Sequence, residues 1–381
     1  MVPEEQKKGL EGVVIADTRL SKVMGDIGKL IYCGYDINDL AEHATFEEVV
    51  FLLWNTRLPN RAELDQFKAE LAANMALPPS LLETMKRFPK DAHPMGVLRS
   101  AVSVLGLHDP AAEDSSPAAN VRKAMLLTAK IPTIIAAWAR IRDGQEPVEP
   151  RRELGLAANF LYMLKGTEPD SVEVDAINVY LVLLADHGMN ASTFTSRVVT
   201  STDADMYSAI TAAIGSLKGP KHGGANEAAM VMFNEVSQAS SVEQWFEQEV
   251  KGKGRRIMGI GHRVYKAPDP RAGILKAHAM ALCERSQNCG LIDVARQLED
   301  LARADSYFIE RKLFPNVDYY SAIVLDAVGI STDMMTPLFA MSRIAGWSAH
   351  IIEQWADNRL IRPRGNYIGD TDRRYVPLSE R

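Results

Sequence analysis

Hydrophobic residues recur along most of this chain at the three- and four-residue spacing of an amphipathic α-helix. One such stripe follows Thr45, which with Glu48 has the residue types of a helix capping box, and consists of Phe46, Val49, Val50, Leu53 and Trp54. Similar stripes cover residues 177–184 and 206–217, and polar turn-rich loops are expected at 109–117 and 143–150. Alternation with a period of two occurs mainly at residues 13–15 and 29–32. The pattern predicts a mainly α fold with a small β-sheet near the N-terminus.

The charge balance of the chain argues against two classes of partner. The 381 residues include 43 Lys and Arg against 49 Asp and Glu, a formal net charge of −6. Nucleic acids and anionic membranes select for broad positive surfaces, so neither is expected as the main partner. No apolar run approaches the roughly 18–20 residues that span a bilayer, and the polar start has no hydrophobic signal sequence. We therefore expect a soluble, cytoplasmic protein of two or three domains.

Several common types of site are missing from the sequence. The three cysteines, Cys33, Cys283 and Cys289, form no CxxC pair and no even disulfide framework, in keeping with a reducing compartment. No HExxH motif or His pair at i, i+4 suggests a metal site. No GxSxG motif or Cys–His signature indicates covalent catalysis, and no complete glycine fingerprint indicates a bound dinucleotide.

A basic segment is the most unusual stretch of the chain. Residues 251–276 contain eight Lys or Arg against one acid, Asp269, although the protein as a whole is acidic. Such a run is often a solvated face. Here glycines and prolines separate the bases, so much of the segment is expected to be loop, and glycine allows a backbone to approach an anion closely. The segment predicts a local binding site for phosphates or a nucleotide.

Four segments place titratable side chains beside tight turns. Residues 185–192 contain His187, residues 217–227 contain His222, residues 259–266 contain His262, and residues 314–321 contain Asp318 among apolar and aromatic neighbours. Apolar surroundings raise the pKa of a carboxyl group and make it a usable base. An alternative role for Asp318, favoured on its residue type alone, is the N-cap of a helix. With metal and covalent chemistry unsupported, these residues favour acid/base chemistry on an anionic substrate.

Taken together and in order, these motifs resemble the citrate synthase family, including the related 2-methylcitrate synthases. The resemblance rests on residues 185–193, 217–227, 259–266 with Asp269-Pro270-Arg271, 315–321, Ser342-Arg343 and Arg362-Pro363-Arg364. It extends from about Gly9 to the C-terminus and looks like the short prokaryotic form. The resemblance implies an almost wholly helical homodimer with shared active sites. It also implies a large domain of residues 1–226 and 323–381, a small CoA-binding domain of residues 227–322, and an active site in the cleft between them.

The family resemblance assigns three catalytic residues. The family condenses acetyl-CoA with oxaloacetate and then hydrolyses the citryl thioester. Asp318 matches the base that removes a proton from the acetyl methyl group, and His222 matches the donor to the thioester oxygen. His262 matches the acid that donates to the oxaloacetate carbonyl. The reaction implied in this way needs no metal and no bound cofactor besides the CoA thioester substrate.

The resemblance also assigns residues that bind the substrates. Oxaloacetate is a dianion, and its binding positions match His187, Arg271, Arg343 and Arg362, the last reaching into the active site of the partner subunit. The CoA-binding positions lie mostly in the basic segment and match Arg255, Arg256, Ile257, Gly259, Gly261, Lys266 and Arg311. One departure concerns the start of the chain, where the family often has Tyr-Arg-Gly-Tyr and this sequence has Tyr32-Cys33-Gly34-Tyr35. The missing arginine removes one charge that can contact CoA.

Two alternatives to citrate synthesis remain open at this point. A 2-methylcitrate synthase uses propionyl-CoA, and the extra methyl group is worth only about 1–3 kcal/mol of discrimination in an apolar pocket. The other alternative is a non-catalytic helical homologue that binds acyl-CoA. Such a homologue is expected to lose acid/base residues, whereas His222, His262 and Asp318 are all present.

Overall fold

The computed structural model describes residues 7–287 and 289–381, which are mainly helical. In chain order, helices α1–α17 are Ile37–His43, Phe46–Asn55, Arg61–Ala73, Pro79–Lys86, Pro94–Leu107, Pro117–Arg142, Leu156–Lys165, Ser171–Leu184, Ala191–Thr200, Met206–Leu217, Ala225–Ser237, Val242–Trp245, Pro270–Ser286, Gly290–Ala304, Ser306–Glu310, Val317–Ala327 and Met335–Ala356. Strands β1–β3 are Ser21–Met24, Lys29–Tyr32 and Tyr35–Asp36. The prediction of a mainly α fold is confirmed. Residues 1–6, which include part of the polar start used to argue against a signal sequence, lie outside the described residues.

The small sheet near the N-terminus is an antiparallel meander. Strand β2 lies between β1 and β3, with Ser21 opposite Tyr32 and Met24 opposite Lys29. The prediction of a strand at 29–32 is confirmed. The expectation of one at residues 13–15 is wrong, because Val13 and Val14 are exposed and have no apolar face to cover.

Local capping explains where the helices begin. The capping box at the start of α2 is confirmed, since the Glu48 amide donates to Thr45 Oγ1 and the Thr45 amide donates to the Glu48 carboxylate at 2.7 Å. Helix α6 begins at Pro117 after its Ser116 cap and ends at Arg142, which confirms the polar loops on either side. Each cap satisfies a backbone group that the helix itself leaves unpaired.

Helix α17 forms the centre of the larger group of helices. It is buried along most of its length and packs against α2, α6, α8, α9 and α10. Within the described residues, α6 has the length and apolar composition that could cross a membrane, but 83% of that apolar window is buried in the protein. Burial of this kind is also found in the core helices of soluble proteins.

A second group of helices follows α10 in the chain. Helix α16 packs against α11, α13 and α14, while α12 and α15 pack against α14. Helix α13 also contacts α8 and α1 of the larger group, so it lies between the two groups. The ion pair between Arg285 and Asp170 joins α13 to the N-cap of α8 at 3.1 Å. The domain boundaries at 226/227 and 322/323 stay a prediction.

A disulfide joins Cys283 and Cys289 across the turn between α13 and α14. The expectation that the cysteines form no disulfide framework is therefore wrong. The turn brings the two Cα atoms to 4.8 Å, a separation that allows the bond. Cys33 is the remaining free cysteine of the described residues and lies far away in the chain, at the end of β2. A rule based on CxxC spacing misses a pair separated by six positions.

Candidate active site

Chain segments that are far apart in sequence meet in one polar cluster. His187 lies in the loop between α8 and α9, and His262 lies in the long loop before α13, yet their ring centroids are 5.5 Å apart. Burial lowers the pKa of His187 well below its ordinary value, and the nearby charges of Arg271 and Arg343 lower it further. The charge of His222, from the loop between α10 and α11, acts on His187 as well. Three of the predicted loops therefore converge.

Asp318 lies in the first turn of α16 and is not its N-cap. The cap is Asn316, whose Oδ1 accepts a hydrogen bond from the Asp318 amide at 2.9 Å, so the N-cap alternative for Asp318 is wrong. The Asp318 Oδ1 atom is shielded from solvent and has no hydrogen-bond partner in the part of the chain that the structure describes. Burial raises the pKa of Asp318 to about 6, against the opposing effect of Arg271 and Arg343. A carboxyl group in this state is suited to act as a base near neutral pH.

Two hydrogen bonds from Asn316 hold the His262 loop against the start of α16. The Asn316 side-chain amide donates to the Gly261 carbonyl at 2.7 Å, and the Asn316 backbone amide donates to the Gly259 carbonyl at 2.8 Å. The positive φ of Gly259, +80°, belongs to the region that favours glycine. Since one residue caps the helix and binds the loop, the positions of His262 and Asp318 are linked.

The hydrogen bonds of His262 fix its tautomer. Its Nδ1 accepts from the backbone amides of Val264 at 2.9 Å and Tyr265 at 3.1 Å. A backbone amide can only donate, so the proton of the neutral ring resides on Nε2. Burial lowers the pKa of His262 to about 4, and Arg271 contributes in the same direction. At neutral pH His262 is therefore an uncharged ring that carries one N–H donor.

The second histidine, His222, has the opposite tautomer. The Ser192 amide donates to His222 Nε2 at 3.3 Å, and the Ser192 hydroxyl lies 2.8 Å from the same nitrogen. The proton of the neutral ring is therefore on Nδ1. Trp347 of α17 donates to the Ser192 hydroxyl at 3.1 Å and so orients it. Burial lowers the pKa of His222 to about 4, with a further contribution from Arg343.

Arg271 is held by a buried carboxylate two residues before it. Asp269 accepts from Arg271 Nε at 3.0 Å and from Arg271 Nη2 at 2.8 Å, and it also caps α13. The same carboxylate accepts a hydrogen bond from the Val317 amide at 3.2 Å. Asp269 thus joins Arg271, a predicted oxaloacetate-binding residue, to the residue immediately before Asp318.

Arg343 is a buried cation without an ion-pair partner among residues 7–287 and 289–381. Its Nε donates to the Leu184 carbonyl at 2.7 Å, and its guanidinium lies 4.7 Å from the centroid of Phe339. Burial lowers the pKa of Arg343, although nearby Asp186 opposes this effect. A buried guanidinium with unsatisfied donors is suited to bind a carboxylate through parallel hydrogen bonds.

Arg362 is not brought into this cluster within the single chain. It lies exposed on the segment that follows α17, and it forms no ion pair with any described residue. The backbone beside it is anchored by the Ile361 amide, which donates to the Ser201 hydroxyl at 3.0 Å. The predicted contact with a partner's active site stays a prediction.

The basic residues predicted to bind CoA differ in whether a neighbouring acid already neutralises their charge. Arg255 already binds the Glu235 carboxylate through both terminal nitrogens and packs over Trp245, so its charge is neutralised. Arg256 and Lys266 are exposed and form no ion pair among the described residues. Arg311 is exposed, stacks on Tyr307 at 4.1 Å and lies 4.0 Å from the carboxylate of the neighbouring Glu310.

The backbone positions predicted to bind CoA are buried or half-buried, and so is Cys33, which stands where the family often has arginine. Ile257 and Gly259 are buried, and Gly261 is half-buried where its amide donates to the Phe314 carbonyl at 2.8 Å. Cys33 is half-buried, and its thiol lies within hydrogen-bond distance of the Leu20 carbonyl at 3.5 Å. Burial raises the pKa of this thiol to about 12, so it is uncharged at neutral pH and does not replace a cation.

Sequence reasoning missed several residues that support the site. Asp186 is fully buried next to His187, accepts a hydrogen bond from Ser21, and lies 3.3 Å from His350 Nε2. Tyr265 lies 3.4 Å from His187 Nε2. Both residues lie within the sequence motifs that contain His187 and His262. Their closeness in sequence to those histidines is the signal that could have identified them. No cluster of His, Cys, Asp and Glu able to hold a metal ion occurs within the described ranges.

Comparison with known proteins identifies the family. The family model described as "Citrate synthase, C-terminal domain" matches residues 9–364. Citrate synthase 2 of Bacillus subtilis is 48% identical and covers 98% of this chain and 99% of its own, and 2-methylcitrate synthase of Mycobacterium tuberculosis is 41% identical, covering 96% and 91%. A citrate synthase from Thermoplasma acidophilum, solved as a ternary complex with carboxymethyl coenzyme A and oxaloacetate, has a TM-score of 0.93 at 35% identity and covers 99% of this chain and 100% of its own. The chain belongs to the citrate synthase family.

Proposed function

We propose that this chain condenses acetyl-CoA with oxaloacetate and hydrolyses the resulting thioester to citrate and CoA. The observation that carries the proposal is the state of Asp318, a carboxyl group with one shielded, unpartnered oxygen and a pKa raised by burial to about 6. It shares the site with two neutral imidazoles, each with one N–H donor. A base and two donors are what an enolisation followed by attack on a ketone requires.

The proposed steps balance around one new carbon–carbon bond. Asp318 takes a proton from the acetyl methyl group while His222 Nδ1–H donates to the thioester oxygen, where negative charge develops. The methyl carbon then attacks the oxaloacetate ketone carbon, and His262 Nε2–H supplies the proton to the ketone oxygen. Water finally cleaves the thioester and releases CoA. A donor fixed at such an oxygen is typically worth about 10²–10³ in rate.

The buried cations support oxaloacetate as the acceptor. Arg271 and Arg343 lie in the same cluster as His187 and are almost fully buried. Two guanidinium groups in a shielded site suit the two carboxylates of a dianion. Each step is assigned to a side chain or a substrate, so we propose a reaction that needs no metal and no resident organic cofactor.

For CoA we propose contacts from three exposed bases. Arg256 and Lys266 fit the phosphates best because neither is neutralised by an acid, and Arg311 adds a third cation. Backbone groups of Ile257, Gly259 and Gly261 are proposed to bind the adenine. Arg255 is proposed as a weaker participant because binding a phosphate would compete with Glu235.

The domain organisation belongs to the same proposal. We propose a large domain of residues 1–226 and 323–381 and a small domain of residues 227–322 that closes over the substrates. Closure would keep water from the thioester until both substrates are bound. A homodimer with shared active sites is proposed as well, and a cytoplasmic location stays a prediction.

Arg362→Ala is expected to raise the KM for oxaloacetate and lower kcat with little loss of stability, because Arg362 is exposed and acts on the partner's substrate. The sharpest measurement mixes Arg362→Ala with Asp318→Asn subunits. One of the two sites in a mixed dimer then has an intact Asp318 and an intact Arg362 from the partner. Activity should rise well above that of either variant alone. No recovery in dimers shown to be mixed would contradict a shared site.

The choice of acyl-CoA is tested directly by kinetics. We expect kcat/KM for acetyl-CoA to exceed that for propionyl-CoA by about 10-fold or more, the range available from one methyl group. Release of CoA in the presence of oxaloacetate is the measurement for both substrates. A preference for propionyl-CoA would assign the chain to 2-methylcitrate synthesis. Binding of acyl-CoA without CoA release from either substrate would favour the non-catalytic alternative.

A further inference from the structure

The turn between β1 and β2 packs directly against the loop that carries His262. The Gly25 carbonyl accepts hydrogen bonds from the backbone amides of Lys266 at 3.0 Å and Ala267 at 3.3 Å. The two segments are more than 200 residues apart in the chain. Their contact is between backbones, so it leaves no obvious signal in a pattern of side chains.

Both glycines at the ends of this turn allow an unusually close approach. A Cβ atom at Gly25 would overlap the Val264 carbonyl oxygen and lie 2.7 Å from the Val264 carbonyl carbon. A Cβ atom at Gly28 would overlap the Pro268 carbonyl oxygen. Glycine is therefore required at two points where the hairpin touches residues 264–268.

Residues 264–268 connect two parts of the active site. At one end, His262 Nδ1 is held by the amides of Val264 and Tyr265. At the other end, the segment leads into Asp269 and Arg271. Val264, Lys266 and Pro268 are exposed, so their side chains do little to fix the segment. Tyr265 is buried and anchors the segment on the His187 side. The backbone contact with the hairpin holds it on the opposite, exposed side.

We infer that the β1–β2 turn, residues 25–28, positions the His262 loop for catalysis and that Gly25 and Gly28 are positioning residues of the reaction. The inference rests on the proposed function. A displacement of about 1 Å at a catalytic group can reduce the rate about 10²-fold. The turn thus acts on His262 and Arg271 through the backbone of residues 264–268 and without contacting substrate.

The first test is Gly25→Ala. Gly25 lies outside the positive-φ region, so alanine adds the steric overlap without backbone strain. We expect kcat to fall about 10- to 100-fold and the KM for oxaloacetate to rise, with faster hydrogen exchange at the Lys266 and Ala267 amides. Gly96→Ala on α5 is the matched control, because nothing lies within 4 Å of its added Cβ. It should leave kinetics and exchange unchanged.

A second pair keeps the test valid if Gly25→Ala fails to fold. Gly28 and Gly34 both have positive φ, but only Gly28 faces the loop, whereas a Cβ at Gly34 meets open space. Equal loss of kcat in Gly28→Ala and Gly34→Ala would overturn the inference. So would wild-type kinetics per folded molecule in Gly25→Ala. Wild-type CoA release tests the proposed function separately, and hydrogen exchange tests the contact whether or not the wild type is active.

Discussion

Asp318→Asn is expected to lower kcat by about 10²–10⁴-fold, the range that a positioned general base contributes, while the folded protein becomes more stable. The amide keeps the size of the side chain but cannot accept the methyl proton. Asp326→Asn is the control, since Asp326 lies on the same helix, α16, but is exposed and outside the cluster. That variant should keep wild-type kcat. A kcat of Asp318→Asn within about threefold of wild type would contradict the assignment of the base.

The gain in stability follows from the pKa of Asp318. Its folded value of about 6 is above the ordinary value of 3.8, so the folded state disfavours the carboxylate that exists at pH 7. Two pKa units correspond to about 2–3 kcal/mol. Asp318→Asn removes this cost. Its advantage in chemical denaturation should be full above pH 6, shrink as the pH falls from 6 to 4, and be absent below about 4.

The same pKa predicts the acid limb of the activity. The base must be deprotonated, so kcat/KM should fall about tenfold per pH unit below pH 6. His222 and His262 should add nothing to this limb above about pH 5, because burial lowers both pKa values to about 4. A plateau of kcat/KM down to pH 5 would contradict the assignment of Asp318.

Arg343→Met is expected to weaken oxaloacetate binding by between about 30-fold and several thousand-fold, the loss typical of removing one partner from a buried charge pair. Little stability should be lost, since the wild-type cation is buried without an ion-pair partner among the described residues. Titration calorimetry with oxaloacetate measures the affinity, and denaturant unfolding measures the stability.

Arg197→Met provides the contrasting control for Arg343→Met. Arg197 is equally buried but is paired with Glu353 at 2.8 Å and donates to Gln354 at 3.0 Å. Its replacement leaves buried acceptors unpaired and should cost about 3–5 kcal/mol of stability. Similar losses of stability in both variants would mean that Arg343 stabilises the fold and is not available to bind a dianion.

The helical frame was predictable because its signals are local. The stripe after Thr45 and the capping box with Glu48 specify the start of α2 from residues within one turn of each other. The false strand at residues 13–15 had the right alternation but no partner to cover it. The disulfide between Cys283 and Cys289 escaped a rule based on sequence spacing, because the turn between two helices sets the distance.

The residue types of the candidate site could be predicted from the sequence, but the tautomers of its histidines and the position of Asp318 in its helix could not. Motifs identified His222, His262 and Asp318, yet a sequence does not specify that one ring carries its proton on Nδ1 and the other on Nε2. Those tautomers depend on amides of Ser192 and Val264 that fold against the rings. Asp318 was favoured as a cap on residue type alone, and only the structure gives that role to Asn316.

The bridging carboxylate of Asp269 limits how this protein can be redesigned. It binds Arg271 on one side and the amide of Val317 on the other, so the arginine proposed to bind the acceptor and the peptide before the proposed base are held by the same carboxylate. A substitution at Arg271 intended to admit a less acidic acceptor would release half of that support and shift Asp318. Substrate scope and turnover in this protein are therefore expected to change together.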